Sequence, residues 1–184
     1  MARKKRPVRQ SKKVYGFIVE GHTEANYLKC LKQLYRQGAQ IWNCAGGHGI
    51  GVMREAKKMI KEHGDDYSGY VVWFDGNRYY SKDKPAKEKL EADKKFTVEI
   101  YISLPCVENW LLAHFEPIQT TDCDCKLCQQ RLQKHISNYE KNNFTQLQQA
   151  ITSNRVEQAM QNYPEIEGDR HLRGIPAKFG DRTA

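Results

Sequence analysis

The sequence predicts an α/β domain with a largely parallel sheet, and three observations carry that expectation. Short β-branched and aromatic runs alternate with helical stretches of about 10–15 residues. The strongest run, Tyr70 to Phe74 (YVVWF), is apolar without interruption, as strands buried on both faces are. It and the first run, Val14 to Val19 (VYGFIV), both stop at an acid beside a glycine, Asp75-Gly76 and Glu20-Gly21. A chain of 184 residues has length enough for one domain with its own core.

Taken in order, Val14 to Val19 reads as a buried first strand. Tyr27, Leu28, Leu31, Leu34 and Tyr35 then recur at helical spacing, with Thr23 or His22 as the expected N-cap. Gln40 to Ala45 is the second strand, closed by Gly46-Gly47-His48-Gly49. That glycine stretch fits neither G-x-G-x-x-G nor the P-loop and reads as a mobile turn, so nucleotide hydrolysis would need a partner. A helix over Val52 to His63 leads to the third strand, and a charged helix over Pro85 to Lys95 leads to the fourth, Phe96 to Ser103. Val107 to Phe115 is a helix entered after Pro105. Beyond it, Cys128 to Lys141 and Phe144 to Asn162 read as two polar helices, and Pro164 to Ala184 as loop. The expected organisation is a basic flexible tail (1–13), an α/β domain (14–116), a helical extension with a cysteine cluster (117–163) and a loop-like C-terminal tail (164–184).

Composition narrows the function classes. No apolar run approaches the 18 or more residues of a membrane span, and none follows the basic start as in a secretory signal. A cytoplasmic location is expected, and with it cysteines that act as thiols or metal ligands. Of the 30 Lys and Arg, seven lie in the first 13 residues, which hold no acid: Arg3, Lys4, Lys5, Arg6, Arg9, Lys12 and Lys13. The remaining 23 nearly balance the 22 Asp and Glu. The positive field therefore sits in the tail, which suits a nucleic acid or serves solubility alone.

Ligands of open parallel sheets bind beyond the carboxyl ends of the strands, and acids gather there. Glu20 follows the first strand, Asp75 the third, and Glu108 lies just past the fourth in the next helix. Glu24, one helical turn after Glu20, can face the same crevice. Converging hard oxygens are what Mg²⁺ or Mn²⁺ requires, and such a metal can position a phosphodiester and acidify a water. Helix-dipole complementarity is the alternative account of Glu24 and Glu108.

The same residues carry a resemblance. Phe17 to Tyr27 (FIVEGHTEANY) resembles the "EG-x-TE-x-x-Y" start of RloB-like proteins, a bacterial family of the TOPRIM superfamily. Tyr101 to Phe115 (YISLPCVENWLLAHF) resembles the family's "S-N-P-x-F-E-x-W-L-L-x-H-F", and Tyr139-Glu140-Lys141 its "Y-x-K". The resemblance implies a TOPRIM-like, Rossmann-type domain with a C-terminal helical extension. It implies a metal site of Glu20, Glu24 and a D-x-D motif on Asp75 and Asn77, where Asn77 brings a carbonyl oxygen but no charge. It further implies work in anti-phage defence beside an ABC/SMC-type ATPase, with cleavage of DNA, RNA or tRNA. In that scheme Glu20, Asp75 and Glu108 are catalytic. The rival expectation, favoured by Asn77, is a catalytically weak adaptor bound to the ATPase.

Cys123, Cys125 and Cys128 put three thiols within six residues, a pattern suited to structural zinc with His135 or His114 as fourth ligand; redox-active or chance surface cysteines fit as well. With the basic tail they make a third expectation, a zinc-assisted nucleic-acid-binding module. Cys30, Cys44 and Cys106 read as small core residues, His114 as packed at its helix end and His22 as lying at the site mouth. Tyr79 and Tyr80, with Arg78 and Lys82, can stack on bases or form an exposed loop.

Overall fold

A computed structural model of the chain describes residues 14–76, 84–119 and 124–180. The order is β1 (Tyr15–Val19), α1 (His22–Tyr35), β2 (Ala39–Asn43), α2 (His48–His63), β3 (Gly69–Asp75), α3 (Lys84–Glu91), β4 (Val98–Ser103) and α4 (Val107–Leu112). Then come α5 (Cys125–Leu132), α6 (Phe144–Ala150), α7 (Ser153–Asn162) and α8 (Gly174–Gly180). The four strands are all parallel in the order β2-β1-β3-β4. This is the doubly wound architecture the alternating runs predict.

The strand sequences dictate the layers, because successive side chains leave opposite faces. Phe17, Val19, Val71, Trp73 and Tyr101 face α1, α4 and the helical extension. Ile18, Val72, Phe74, Ile100 and Ile102 face α2 and α3, against Val52, Met53, Ala56, Ile60 and Leu90. Every residue of β3 from Gly69 to Phe74 is buried, which is why its run is uninterrupted. The chain passes from β1 outward to β2 and returns to β3 on the other side of β1. The switch point therefore falls between β1 and β3, where connections leave for opposite faces and a crevice opens.

Several elements differ from expectation, each for a local reason. Helix α1 is capped by Gly21, with neither His22 nor Thr23 at the cap position. Helix α2 starts at His48, so half of the glycine stretch is its first turn; only Gly46 and Gly47, at φ 105° and 113°, form the turn itself. The stretch from Phe144 to Asn162 is two helices, because Ile151 and Thr152 turn extended and Thr152 caps α7 by accepting from the Arg155 N–H. The stretch from Cys128 to Lys141 is helical only at its start, within α5.

The C-terminal segment is also more than a loop. Leu172, Ile175 and Phe179 are buried in the α1-side core, and Phe179 stacks on Phe17 with ring centroids 5.2 Å apart. Tyr101 pairs with Arg170 in a parallel bridge on the outer side of β4. Lys178 Nζ reaches Glu99 on the same strand at 2.5 Å. No helix among the described residues is long and apolar enough to cross a membrane.

This packing is testable with two glycines. A Cβ at Gly174 would lie 2.2 Å from Tyr101 Oη, whereas one at Gly51 meets nothing within 4 Å. Gly174→Ala should lower the stability of the whole chain by about 1–3 kcal/mol in urea unfolding, through overpacking. Gly51→Ala should raise it by roughly 0.5–1 kcal/mol, as helical glycines do when replaced. Equal effects would mean that the C-terminal segment is not part of the cooperative unit.

Candidate carboxylate site at the β1–β3 switch point

The parallel register sets Val19 beside Trp73, so Glu20, one residue on, and Asp75, two residues on, both emerge at the same end of the sheet. Backbone donors then fix both carboxylates. Glu20 Oε2 accepts the Asp75 N–H at 3.0 Å, and Asp75 Oδ1 accepts the Val107 N–H at 2.7 Å, in the first turn of α4. The ends of β1, β3 and α4 are thereby tied in one line. A crevice of about 220 Å³ opens there, lined by Glu20, His22, Glu24, Asp75 and Lys141 among others. At ~30 Å³ per water it has room for several waters or a phosphate group.

Glu24 and Glu108 complete the cluster, as the sequence predicts, but at different depths. Glu24 is 3% exposed in the first turn of α1. Glu108 is 0% exposed, and neither of its oxygens has an aligned hydrogen-bond donor. Lys141 Nζ lies 2.8 Å from Glu108 Oε1, an ion-pair contact made from the helical extension. The chain at Lys141 is held by its carbonyl, which accepts from Thr23 Oγ1 at 3.3 Å, and by the buried ring of Tyr139.

Burial and like charge dominate the electrostatics. Desolvation, reinforced by Glu24, Glu108 and Glu20, pushes the Asp75 carboxyl up to about 9. Desolvation, with Glu20 and Glu108 adding to it, pushes Glu24 up to about 7. Burial pulls the Lys141 ammonium down, but Glu108 and Asp75 more than offset it and its net shift is upward.

Among the described residues no three His, Cys, Asp or Glu side chains stand in metal-binding geometry. The donor chemistry nevertheless fits a hard divalent cation. Two buried Glu108 oxygens lack aligned donors, and desolvation raises the Asp75 and Glu24 carboxyls, so a cation would compete there with protons. Asn77, the other half of the expected D-x-D pair, lies outside the described residues. So do the seven basic residues of the tail, Cys123, and the Arg78 to Lys82 stretch.

The structure brings in one neighbour that sequence reasoning did not assign. His48 Nδ1 lies 3.5 Å from Glu20 Oε1, at the start of α2. Its position directly after the glycines that close β2 is the signal that could have placed it at this sheet edge. His22 lines the crevice as expected, and His114 is fully buried, facing the Tyr27 hydroxyl at 3.1 Å. Burial drives His114 down to about 4.

The zinc set does not come together as expected. His135 Nε2 lies 3.1 Å from Glu116 Oε2, and its ring stacks on Phe115. His114 is committed to Tyr27 and to the carbonyls of Trp110 and Leu111. Cys128 is disulfide-bonded, a correction to the expectation that all six cysteines are thiols or ligands. Cys30, Cys44, Cys106 and Cys125 carry no disulfide. Cys106 is a buried core residue, as expected, and packs against Cys128 and Cys125. Two sulfur-bearing stretches separated in sequence meet there because α5 lies on α4.

The crowded carboxylates make stability depend on pH. Asp75 and Glu24 bind protons more tightly folded than unfolded, so the unfolded chain ionises first as pH rises. Metal-free protein should therefore lose stability from about pH 4 up to about pH 9, the raised value for Asp75. Melting temperatures in EDTA across that range check the sign. Glu108→Gln should flatten the decline, and Mg²⁺ or Mn²⁺ at the alkaline end should reverse part of it. A flat profile in the wild-type chain would show that the carboxylates are not crowded.

Comparison with known proteins bears on the same residues. No curated protein and no solved structure matches the chain. The model of one family, described as RloB-like protein, matches residues 17–172 and so spans every carboxylate of the site and Lys141. The chain belongs to the RloB-like protein family.

Proposed function

We propose that the chain is a metal-dependent phosphodiesterase that cleaves nucleic acid, acting in the cytoplasm in bacterial anti-phage defence beside an ABC/SMC-type ATPase. The observation that carries the reading is the convergence of Glu20, Glu24 and Asp75 on one crevice at the switch point, with Glu108 buried behind them. Acids that served only helix dipoles would not be drawn into one desolvated cluster.

Glu20, Glu24 and Asp75 would hold Mg²⁺ or Mn²⁺, with Asn77 as a neutral oxygen donor. When bound, the metal supplies Lewis acidity at the phosphate and lowers the pKa of an attacking water. Glu20, with Oε1 turned toward His48, orients that water and takes its proton. Glu108 adds negative charge from behind and keeps the crevice selective for cations. Arg3, Lys4, Lys5, Arg6, Arg9, Lys12 and Lys13 would neutralise phosphates flanking the scissile bond, without sequence preference. DNA and RNA, tRNA included, share this chemistry. The adaptor reading is favoured by one observation, the uncharged Asn77 in the D-x-D pair.

Purified full-length protein should cut single-stranded DNA or RNA with Mg²⁺ or Mn²⁺, and Glu20→Ala should abolish cutting, by about 10²-fold or more. Cleavage at subsaturating substrate should fall steeply with salt, as a seven-charge tail demands. Wild-type rates in Glu20→Ala with both metals sink the assignment. Activity that appears only when the ATPase is added supports a restrained effector.

For the cysteine cluster we propose zinc in the reduced protein, held by Cys123, Cys125 and Cys128 with Cys106 in the place His135 was expected to take. Elemental analysis of protein prepared under reducing conditions should find about one zinc per chain. Cys106→Ser should lose it and His135→Ala should keep it. Zinc-free reduced protein would leave a redox pair as the reading of the cluster.

A further inference from the structure

We infer that Lys141 is the phosphate-contacting cation of the crevice, so that the helical extension completes a site whose acids all come from the α/β domain. The inference rests on the phosphodiester reading of that crevice.

The argument begins with charge. Glu20, Glu24, Asp75 and Glu108 gather four carboxyl groups at or behind one crevice, and one divalent cation offsets only two negative charges. A phosphodiester adds another negative charge and would meet net repulsion unless a second cation stands beside it. Lys141 lines the crevice and its side chain is 52% exposed, while the Glu108 carboxylate it contacts is fully buried. The ammonium thus stands between the buried acid and the open crevice.

Placement is the second part. Thr23 and the buried Tyr139 fix the backbone beneath Lys141, and the half-exposed side chain reaches from that anchor across the crevice wall to Glu108. A side chain needed only to neutralise Glu108 would gain by being enclosed, since a water-exposed ammonium is a weaker partner for a buried carboxylate. When a divalent cation offsets the acids, the ammonium is released from Glu108 toward a non-bridging phosphate oxygen. A lysine at that oxygen acts as a compact point charge with three donors, a role arginine fills in part and methionine not at all.

The test compares full-length wild type, Lys141→Met and Lys141→Arg with Ca²⁺ as the cation, which occupies oxygen sites. The probe is a fluorescent single-stranded oligonucleotide. Titrating it in Ca²⁺ and in EDTA isolates the metal-dependent gain in affinity from binding by the tail. Lys141→Met should cut that gain by about tenfold or more, the size of one charge-assisted contact, and Lys141→Arg should restore most of it. The Ca²⁺-induced rise in melting temperature should be the same in all three proteins. A gain in Lys141→Met within about threefold of wild type overturns the inference. Parallel loss of the Ca²⁺ melting shift overturns it too, because Lys141 would then only support the carboxylates. If wild type shows the gain yet cuts nothing with Mg²⁺ or Mn²⁺, alone or with the ATPase added, the hydrolytic reading fails and the phosphate contact stands. If wild type shows no gain, both fall.

Discussion

Much of this molecule follows from the burial of one carboxylate. Glu108 has no exposed surface and no aligned hydrogen-bond donor, a state that a packed protein tolerates only where something compensates it. The compensation comes from far along the chain, where Lys141 reaches back from the helical extension. For the ammonium to arrive, Tyr139 must be buried and Thr23 must hold the Lys141 carbonyl, so the extension has to dock against α1. The acid therefore does more than add a ligand. It requires the second half of the chain to pack where the strand ends of the first half converge.

The neighbouring carboxylates are satisfied differently. One oxygen of Glu20 and one of Asp75 accept backbone N–H groups, which stitches β1 to β3 and β3 to α4. These bonds let two acids stand at the end of a buried sheet without a metal present, because each borrows a donor that the turn would otherwise leave unpaired. The price is crowding, which with desolvation pushes the Asp75 and Glu24 carboxyls above the ordinary carboxylate range.

The sheet and the acid positions were legible in the sequence for a simple reason. A strand buried on both faces must be apolar throughout, so β3 announces itself, and an acid that ends such a strand has nowhere to go but the strand's carboxyl end. Glu20 and Asp75 were legible by that logic, Glu24 by its helical spacing from Glu20, and Glu108 by its place just past β4. What could not be read was set by contacts between distant stretches. Nothing local tells that Lys141 faces Glu108, that Cys106 meets Cys125, or that His135 turns to Glu116 instead. Helix ends were displaced by single residues with competing preferences: Ile151 and Thr152 broke one expected helix into two because threonine caps better than it continues. The C-terminal segment read as loop from its glycines and proline, yet Leu172, Ile175 and Phe179 are apolar at helix-compatible spacing and their burial needs only a face left open.

That open face has a consequence for how the chain is made. Phe17 lies in β1 and Phe179 in α8, and the two rings stack. A ribosome releases the first long before the second, so throughout synthesis the sheet presents Phe17 and its neighbours uncovered on the α1 side. The nascent chain carries that apolar surface past the exit tunnel until α8 emerges, and a chain cut before α8 would keep its acids while leaving that part of the core unsealed.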